Sequence, residues 1–378
     1  MIENVMTSSI LPGRTRQAPP LPVLPLVPNA LRFAQPESFT ILPTYRCNAA
    51  CTECCFESHS GIRHRMSRDE LLGLIRRVRS ELPRVRYVVL TGGEVTLLRK
   101  DLLDAITLLT ELGLGSRIVT NGQWARTEGH AAKWVDDLVS AGLNELNLST
   151  GDEHLEWVPI ESVARAALHA ARRQLLTIVT IEGSQDAKFR AEDFQELPEI
   201  REILCNENLR KWLLVMTNVW MPFHAESGIR PQGRIPEARG CDNIFENFVV
   251  NPYGNLMSCC GLTMEYIPEM KVGHVDDSQT LQQVYGGQFG DLLKLWIWLD
   301  GTQAIFDLAM RRSGQSIACT SPHQCAICAQ LYQNPRLRAS VHDLVIENAH
   351  QIVFRSLLKG RLNGRIDFPE GHTHIGVE

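Results

Sequence analysis

Residues 39–54 read FTILPTYRCNAACTEC and residues 87–94 read YVVLTGGE. Each opens on a short apolar run rich in β-branched or aromatic residues, the pattern of a buried strand. Each then stops on residues that carry chemistry. The first run leads into Cys47, Cys51 and Cys54, spaced CxxxCxxC, and the second ends on Gly92, Gly93 and Glu94. Between them, Ser67-Arg-Asp-Glu70 has the form of a capping box, and Leu71, Leu74, Ile75 and Val78 recur at helical spacing. Strand, helix and second strand make one βα unit, with a reactive loop at the exit of each strand.

The alternation continues outward. Further strands are predicted at Arg117–Thr120, Glu145–Ser149, Leu176–Ile181 and Trp212–Val219, with helices over Leu102–Leu112, Ala131–Ala141 and Val163–Ala171. Repeated βα units imply a parallel sheet, here an α/β fold of the partial, TIM-like (βα)6 barrel type, active at the C-terminal ends of its strands. A doubly wound sheet would give the same string of elements. Residues 1–36 read as a Pro-rich arm and residues 37–235 as the barrel. The segment Gly228–Gly240 has the glycine and proline content of a linker. Residues 236–333 then form a smaller C-terminal domain. It opens with a hairpin, Asn247–Val250 and Asn255–Ser258 about the turn Asn251-Pro-Tyr-Gly254, and continues mostly helical. Residues 334–378 close the chain with an amphipathic helix over Leu337–Leu358 and a tail.

Bulk properties exclude several classes. Of 378 residues, 44% are hydrophobic and 21% charged, and the net charge is −5 with no basic block, so no nucleic-acid footprint is visible. No apolar run approaches the ~20 residues of a membrane span, and prolines interrupt the N-terminus where a signal peptide would lie. A cytoplasmic protein with no membrane partner is expected. There, thiols stay reduced. The eleven cysteines are odd in number and clustered, which favours metal binding over disulfides.

Thiolates at CxxxCxxC spacing suit iron–sulfur or zinc. An electron-transfer cluster usually takes four cysteines. Three leave one iron open, and an open position is what makes a metal site catalytic. A structural zinc with Cys55 as fourth ligand is the plainer alternative, although adjacent loop residues point apart. The glycine pair one βα unit later offers bare backbone for close approach, and Glu94 offers a carboxylate to a cation.

At this point the sequence resembles the radical S-adenosylmethionine (SAM) superfamily, over roughly residues 37 to 235. CNAACTEC matches that family's cluster-binding loop. The resemblance implies that Cys47, Cys51 and Cys54 hold a [4Fe–4S] cluster, with the methionine end of S-adenosylmethionine on the fourth iron. It implies that Gly92, Gly93 and Glu94 are the family's GGE motif facing the methionine amino group. Asn121, Ser149 and Asp152 fall where the family places ribose- and carboxylate-binding groups. The family usually has an aromatic residue before the third cysteine. Here that residue is Glu53, whose backbone is expected to meet adenine, with Phe56 two residues beyond Cys54. The implied chemistry is reductive cleavage of the cosubstrate, fed by a low-potential donor such as flavodoxin or ferredoxin.

Cys241, Cys259, Cys325 and Cys328 form a two-plus-two set, enough for a closed zinc or [4Fe–4S] site. Their spacing resembles the twitch domain, the short form of the SPASM extension, which implies a second, auxiliary [4Fe–4S] cluster on these four. Cys260 and Cys319 are extra, and Cys205 reads as an isolated thiol. His154 and Tyr253 read as structural, and no acid–base residue is singled out. Relatives with such extensions modify ribosomal peptides by crosslink, thioether or epimerisation, or oxidise a sugar or cyclitol alcohol. A peptide substrate is the leading expectation and the small molecule the alternative.

Overall fold

The computed structural model describes residues 35–52, 54–183, 186–218, 240–314 and 323–362. The arm up to residue 34, nearly all of the linker, Glu53, Cys319 and the tail past residue 362 lie outside the described residues.

Six parallel strands stand side by side in chain order: β1 (Ser38–Thr44), β2 (Tyr87–Gly92), β3 (Gly115–Thr120), β4 (Glu145–Thr150), β5 (Leu176–Glu182) and β6 (Leu213–Asn218). The crossovers are α1 (Arg68–Glu81), α2 (Lys100–Glu111), α3 (Glu128–Ser140), α4 (Ile160–Arg172) and α5 (Pro198–Cys205). β6 lies at one edge of the sheet and does not return to β1, so the run stays open as a partial barrel. The local reasons are those of the sequence. Ser67 caps α1 by accepting from the Glu70 backbone while the Glu70 side chain accepts from the Ser67 backbone, and Leu71, Leu74, Ile75 and Val78 face the core. Replacing Ser67 by Ala would cost about 1 kcal/mol of helix stability.

β1 is buried at every position because strands flank it on both sides. On the side away from β2 lies β7 (Asn247–Val250), parallel to β1, followed by antiparallel β8 (Asn255–Met257) and β9 (Lys271–His274). The predicted hairpin therefore extends the barrel sheet to nine strands. Phe39 meets Phe248 edge to face with ring centroids 5.6 Å apart, and Thr40 Oγ1 donates to Asn247 Oδ1 at 2.8 Å. β9 carried no sequence signal: four residues, Lys-Val-Gly-His, show neither apolar alternation nor a β-branched run.

The remaining chain is helical: α6 (Leu281–Gly287), α7 (Leu292–Ser313), α8 (Gln324–Gln333), α9 (Pro335–Glu347) and α10 (Ala349–Leu362). Gly301 breaks α7 with φ 78°. The single C-terminal helix expected over Leu337–Leu358 is two, α9 and α10. Asn348 ends α9 at φ −102°, ψ 5°, and its side chain donates to the Leu344 carbonyl, which competes with the helical ladder. Val341, Leu344, Val345 and Ile352 still bury on one side, which is why the periodicity read straight through. Among the described residues no helix is long and apolar enough to cross a membrane.

Candidate active site

The loops leaving β1, β2, β3 and β4 meet in one cleft at the C-terminal ends of the strands. Cys47, Cys51 and Cys54 line it together with Gly92, Gly93, Glu94, Asn121 and Ser149. Gly92 and Gly93 admit the chain's own backbone here. A Cβ on Gly93 would sit 2.2 Å from the Arg46 carbonyl oxygen, and one on Gly92, at φ 121°, would sit 2.5 Å from that of Thr44. The Gly93 N–H donates to Thr44 O at 2.8 Å and the Glu94 N–H to Arg46 O at 2.9 Å. The glycine pair thus stitches the exit of β2 to the residues that launch the cysteine loop.

Glu94 is 1% exposed. Its Oε1 accepts from the Thr96 N–H (3.1 Å), the Thr96 hydroxyl (2.6 Å) and the Thr120 hydroxyl (2.6 Å), while Oε2 accepts the Asn121 N–H at 2.9 Å. Burial raises the carboxyl pKa, and these donors oppose the rise. Glu94 therefore ties the exits of β2 and β3 together before any ligand arrives. Asn121 carries the tie to the cysteine loop: its Nδ2 donates to Asn48 Oδ1 at 2.8 Å and lies 3.8 Å from Cys47 Sγ. Asn48 in turn donates to Gln123 Oε1. Asn48 was missed in the sequence, where it is an unremarked residue between two cysteines.

The exit of β4 splits the expected pair. The Ser149 hydroxyl lines the cleft, 3.2 Å from His154 Nε2. Asp152 does not line it. Its carboxylate accepts the backbone N–H groups of Lys188 (2.7 Å) and Phe189 (2.9 Å). The Asp152 charge holds the chain after β5. The neighbouring Glu153 turns to the cleft instead, and its Oε2 accepts from the Thr52 N–H at 3.0 Å and from the Thr52 hydroxyl. Desolvation holds the His154 imidazole at a pKa of about 4, so it is neutral at physiological pH.

Burial pushes the Cys47 and Cys51 thiols up to about 12, and nearby thiols and the carboxylates of Glu94 and Glu153 add to the rise. Phe56 stacks on Tyr45 at 5.1 Å and lines the cleft, so an aromatic ring is supplied from beyond the third cysteine. The Tyr45 hydroxyl donates to Glu265 in the C-terminal region. Tyr253 stacks on His64 at 4.7 Å, a packing contact.

A second cavity gathers Cys241, Cys259, Cys325 and Cys328 within a wall of Ile244, Met264, Ile267, Met270 and Ile297. The hairpin and the start of α8 bring the two pairs together. A Cβ on Gly261 would stand 3.1 Å from Cys325 Sγ and 3.5 Å from Cys259 Sγ, so two thiols converge over this bare backbone. Burial pushes Cys241 and Cys259 up to about 12, and Cys325 and Cys328 upward as well. Cys260 is not in the lining. It lies 3.1 Å from the donating Asn247 Nδ2. Cys205 is exposed at the end of α5. Among the described residues no three His, Cys, Asp or Glu side chains are arranged to hold a single metal ion. Cys55 also lines the cleft beside the CxxxCxxC trio, and four cysteines line the cavity; such soft donor sets fit iron–sulfur clusters.

Comparison with known proteins agrees. The family model described as the Radical SAM superfamily matches residues 41–190. YydG of Bacillus subtilis (strain 168), named as a peptide biosynthesis protein, is 24% identical over 127 residues, 34% of this chain and 40% of that protein. The matched stretch thus spans well under half of that relative. Native anSMEcpe with bound AdoMet shares the fold at TM-score 0.50 and 14% identity, over 87% of this chain and 100% of its own. BtrN in complex with AdoMet and 2-DOIA aligns over 71% of this chain and 89% of its own, at TM-score 0.42 and 12% identity. The glycine-stitched cysteine loop lies inside residues 41–190, the stretch that matches the radical SAM superfamily, whose enzymes use a [4Fe–4S] cluster and S-adenosylmethionine.

Proposed function

We propose that the chain is a peptide-modifying radical SAM enzyme in which Cys47, Cys51 and Cys54 hold the catalytic cluster and Cys241, Cys259, Cys325 and Cys328 an auxiliary one. The observation that carries this reading is the convergence of the three thiols, the glycine pair, Asn121 and Ser149 on one cleft at the strand ends. A cluster held by Cys47, Cys51 and Cys54 would supply one-electron reductive cleavage of S-adenosylmethionine for hydrogen abstraction from the substrate.

The chain's own residues prepare the place. Gly92 and Gly93 hold the cysteine loop in register, and Glu94 fixes Thr120 and Asn121 relative to it. Asn121 and Ser149 present an amide and a hydroxyl to the cosubstrate. The Tyr45–Phe56 stack walls the cleft against water, which protects a radical from stray hydrogen donors. The peptide assignment is supported by the likeness to YydG. A flavodoxin or ferredoxin is the proposed electron donor.

The test is anaerobic reconstitution with iron and sulfide, then reduction with S-adenosylmethionine and a precursor peptide encoded beside the gene. Formation of 5′-deoxyadenosine with a mass or stereochemical change in the peptide is the expected result. Oxidation of a sugar or cyclitol with the peptide untouched would replace the peptide reading by the small-molecule one. No 5′-deoxyadenosine under any condition would overturn both.

A further inference from the structure

Beside the cleft, at the exits of β4 and β5, lies an acidic cavity that the radical chemistry leaves unused. Asp152, Glu153, Glu156, Glu182 and Asp186 line it, and Lys188 is the one cation among the described lining residues. Two of the carboxylates are already engaged, Asp152 by the Lys188 and Phe189 N–H groups and Glu153 by Thr52. Glu182 differs. It is the last residue of β5 and 2% exposed, yet its Oε2 accepts no hydrogen bond.

Its position is imposed by packing. A Cβ on Gly151 would stand 2.5 Å from Glu182 Cβ, so the bare backbone of the β4 exit presses the stem of the side chain into place. A buried carboxylate oxygen without a donor is costly and persists where a ligand satisfies it. A metal ion is not the fitting ligand, because no three acidic or other ligating groups among the described residues gather round one centre. A neutral hydroxyl would leave the excess of negative charge unbalanced. An organic cation with N–H donors answers both demands. The position of its carrier is also defined: Glu153 lines both this cavity and the cysteine cleft, so a group held here sits next to the site of hydrogen abstraction.

We infer that the cavity binds the guanidinium or ammonium of a basic side chain in the peptide substrate, with Glu182 as the buried anchor and Glu156 at the rim, beside the residue that is modified. The inference rests on the peptide reading above and names the kind of peptide. It makes Glu182 a specificity-determining residue, with Gly151 holding it in place.

The test uses the full chain, reconstituted anaerobically in the presence of S-adenosylmethionine. Three blocked synthetic hexapeptides, identical but for a central arginine, lysine or citrulline, are titrated by calorimetry. The arginine and lysine peptides should bind, and the citrulline peptide should bind roughly tenfold weaker or less well, since it keeps the shape and loses the charge. Glu182→Gln should weaken the arginine peptide about tenfold and leave the citrulline peptide unchanged, bringing the two together. Exposed Glu156→Gln, which cannot disturb the core, should narrow the arginine-to-citrulline ratio about two- to threefold. If Glu182→Gln fails to fold or to retain iron, the Glu156 variant decides by itself, and an unchanged ratio there overturns the inference. Equal binding of arginine and citrulline peptides, or a Glu182→Gln effect on S-adenosylmethionine affinity alone, also overturns it. Equal binding with peptide turnover intact refutes only the cation subsite. Failure of all three peptides to bind, with turnover of a sugar alcohol, refutes the peptide reading itself.

Discussion

The two cysteine sites are built in different electrostatic surroundings. In the cleft, Glu94 and Glu153 lie near the thiols and push Cys47 and Cys51 further toward the neutral form. In the C-terminal cavity the Asp242 carboxylate lies near Cys241, while Lys294, paired with Asp291 and itself lowered in pKa by burial, lies near Cys259 and Cys328. Lys294 is 2% exposed, its Nζ donates to the Glu269 carbonyl at 2.5 Å, and its field eases ionisation of Cys259 and Cys328. The walls differ too, since the cleft is edged by backbone, amides and hydroxyls and the cavity by Ile and Met side chains. Negative surroundings disfavour adding an electron and positive ones favour it. The accessible cleft suits a cluster open to a ligand, and the apolar cavity suits a closed one.

The sharpest way to break this division is to remove one thiol from each site. Cys51→Ala should abolish 5′-deoxyadenosine formation and roughly halve bound iron, because two thiolates do not retain the cluster; iron assay and chromatography check it. Cys328→Ala should lose a similar share of iron yet keep some uncoupled cosubstrate cleavage. Complete loss of cleavage in that variant would make the second site an element of folding.

Gly93→Ala leaves every thiol in place but puts a methyl 2.2 Å from the Arg46 carbonyl oxygen. Several kcal/mol of strain should displace the cysteine loop. Iron at the first site should fall while the second keeps its own, as Mössbauer or paramagnetic resonance spectra would show. Equal loss at both sites would mean that the glycine serves global stability.

Acid sensitivity is a smaller effect confined to the cleft. His154 has a folded pKa of about 4 against an ordinary 6.5, caused first by burial. Below the unfolded value the unfolded chain binds a proton that the folded chain refuses, so stability falls as pH drops from 6.5 toward 4. Between pH 7 and 5 the loss should be about 2 kcal/mol in urea midpoints, and His154→Gln should flatten it. The smallest effect is Lys294→Met, which should lower the potential of the second site by on the order of 50 mV, about 1 kcal/mol, in redox titration, with the first unchanged.

Much of this was legible beforehand because it is local. Periodicity located each parallel strand to within a few residues, and the capping box at Ser67 and Glu70 lies where the sequence put it. The two cysteine sets were likewise read from spacing. What escaped shares one trait: it depends on partners far along the chain. β9 exists because β8 offers it a ladder, and the hairpin joins the barrel because β1 has a free side. The terminal helix reads as one piece because both halves bury the same face, while Asn348 alone ends the first.

The sequence alone determined the class of chemistry, since three thiols after one strand and a Gly-Gly-Glu after the next are short-range patterns with few other uses. Only the tertiary structure decided what each polar residue does. Asp152 and Glu153 are neighbours of the same charge, yet one holds backbone beyond β5 and the other faces the cleft, because successive side chains on a helical turn point about 100° apart. Gly92 and Gly93 line the cleft and also give room to the chain's own backbone, which the motif does not reveal. Glu182 carries no motif at all, and its meaning comes from a bare Gly151 and four other carboxylates that folding brings to its side.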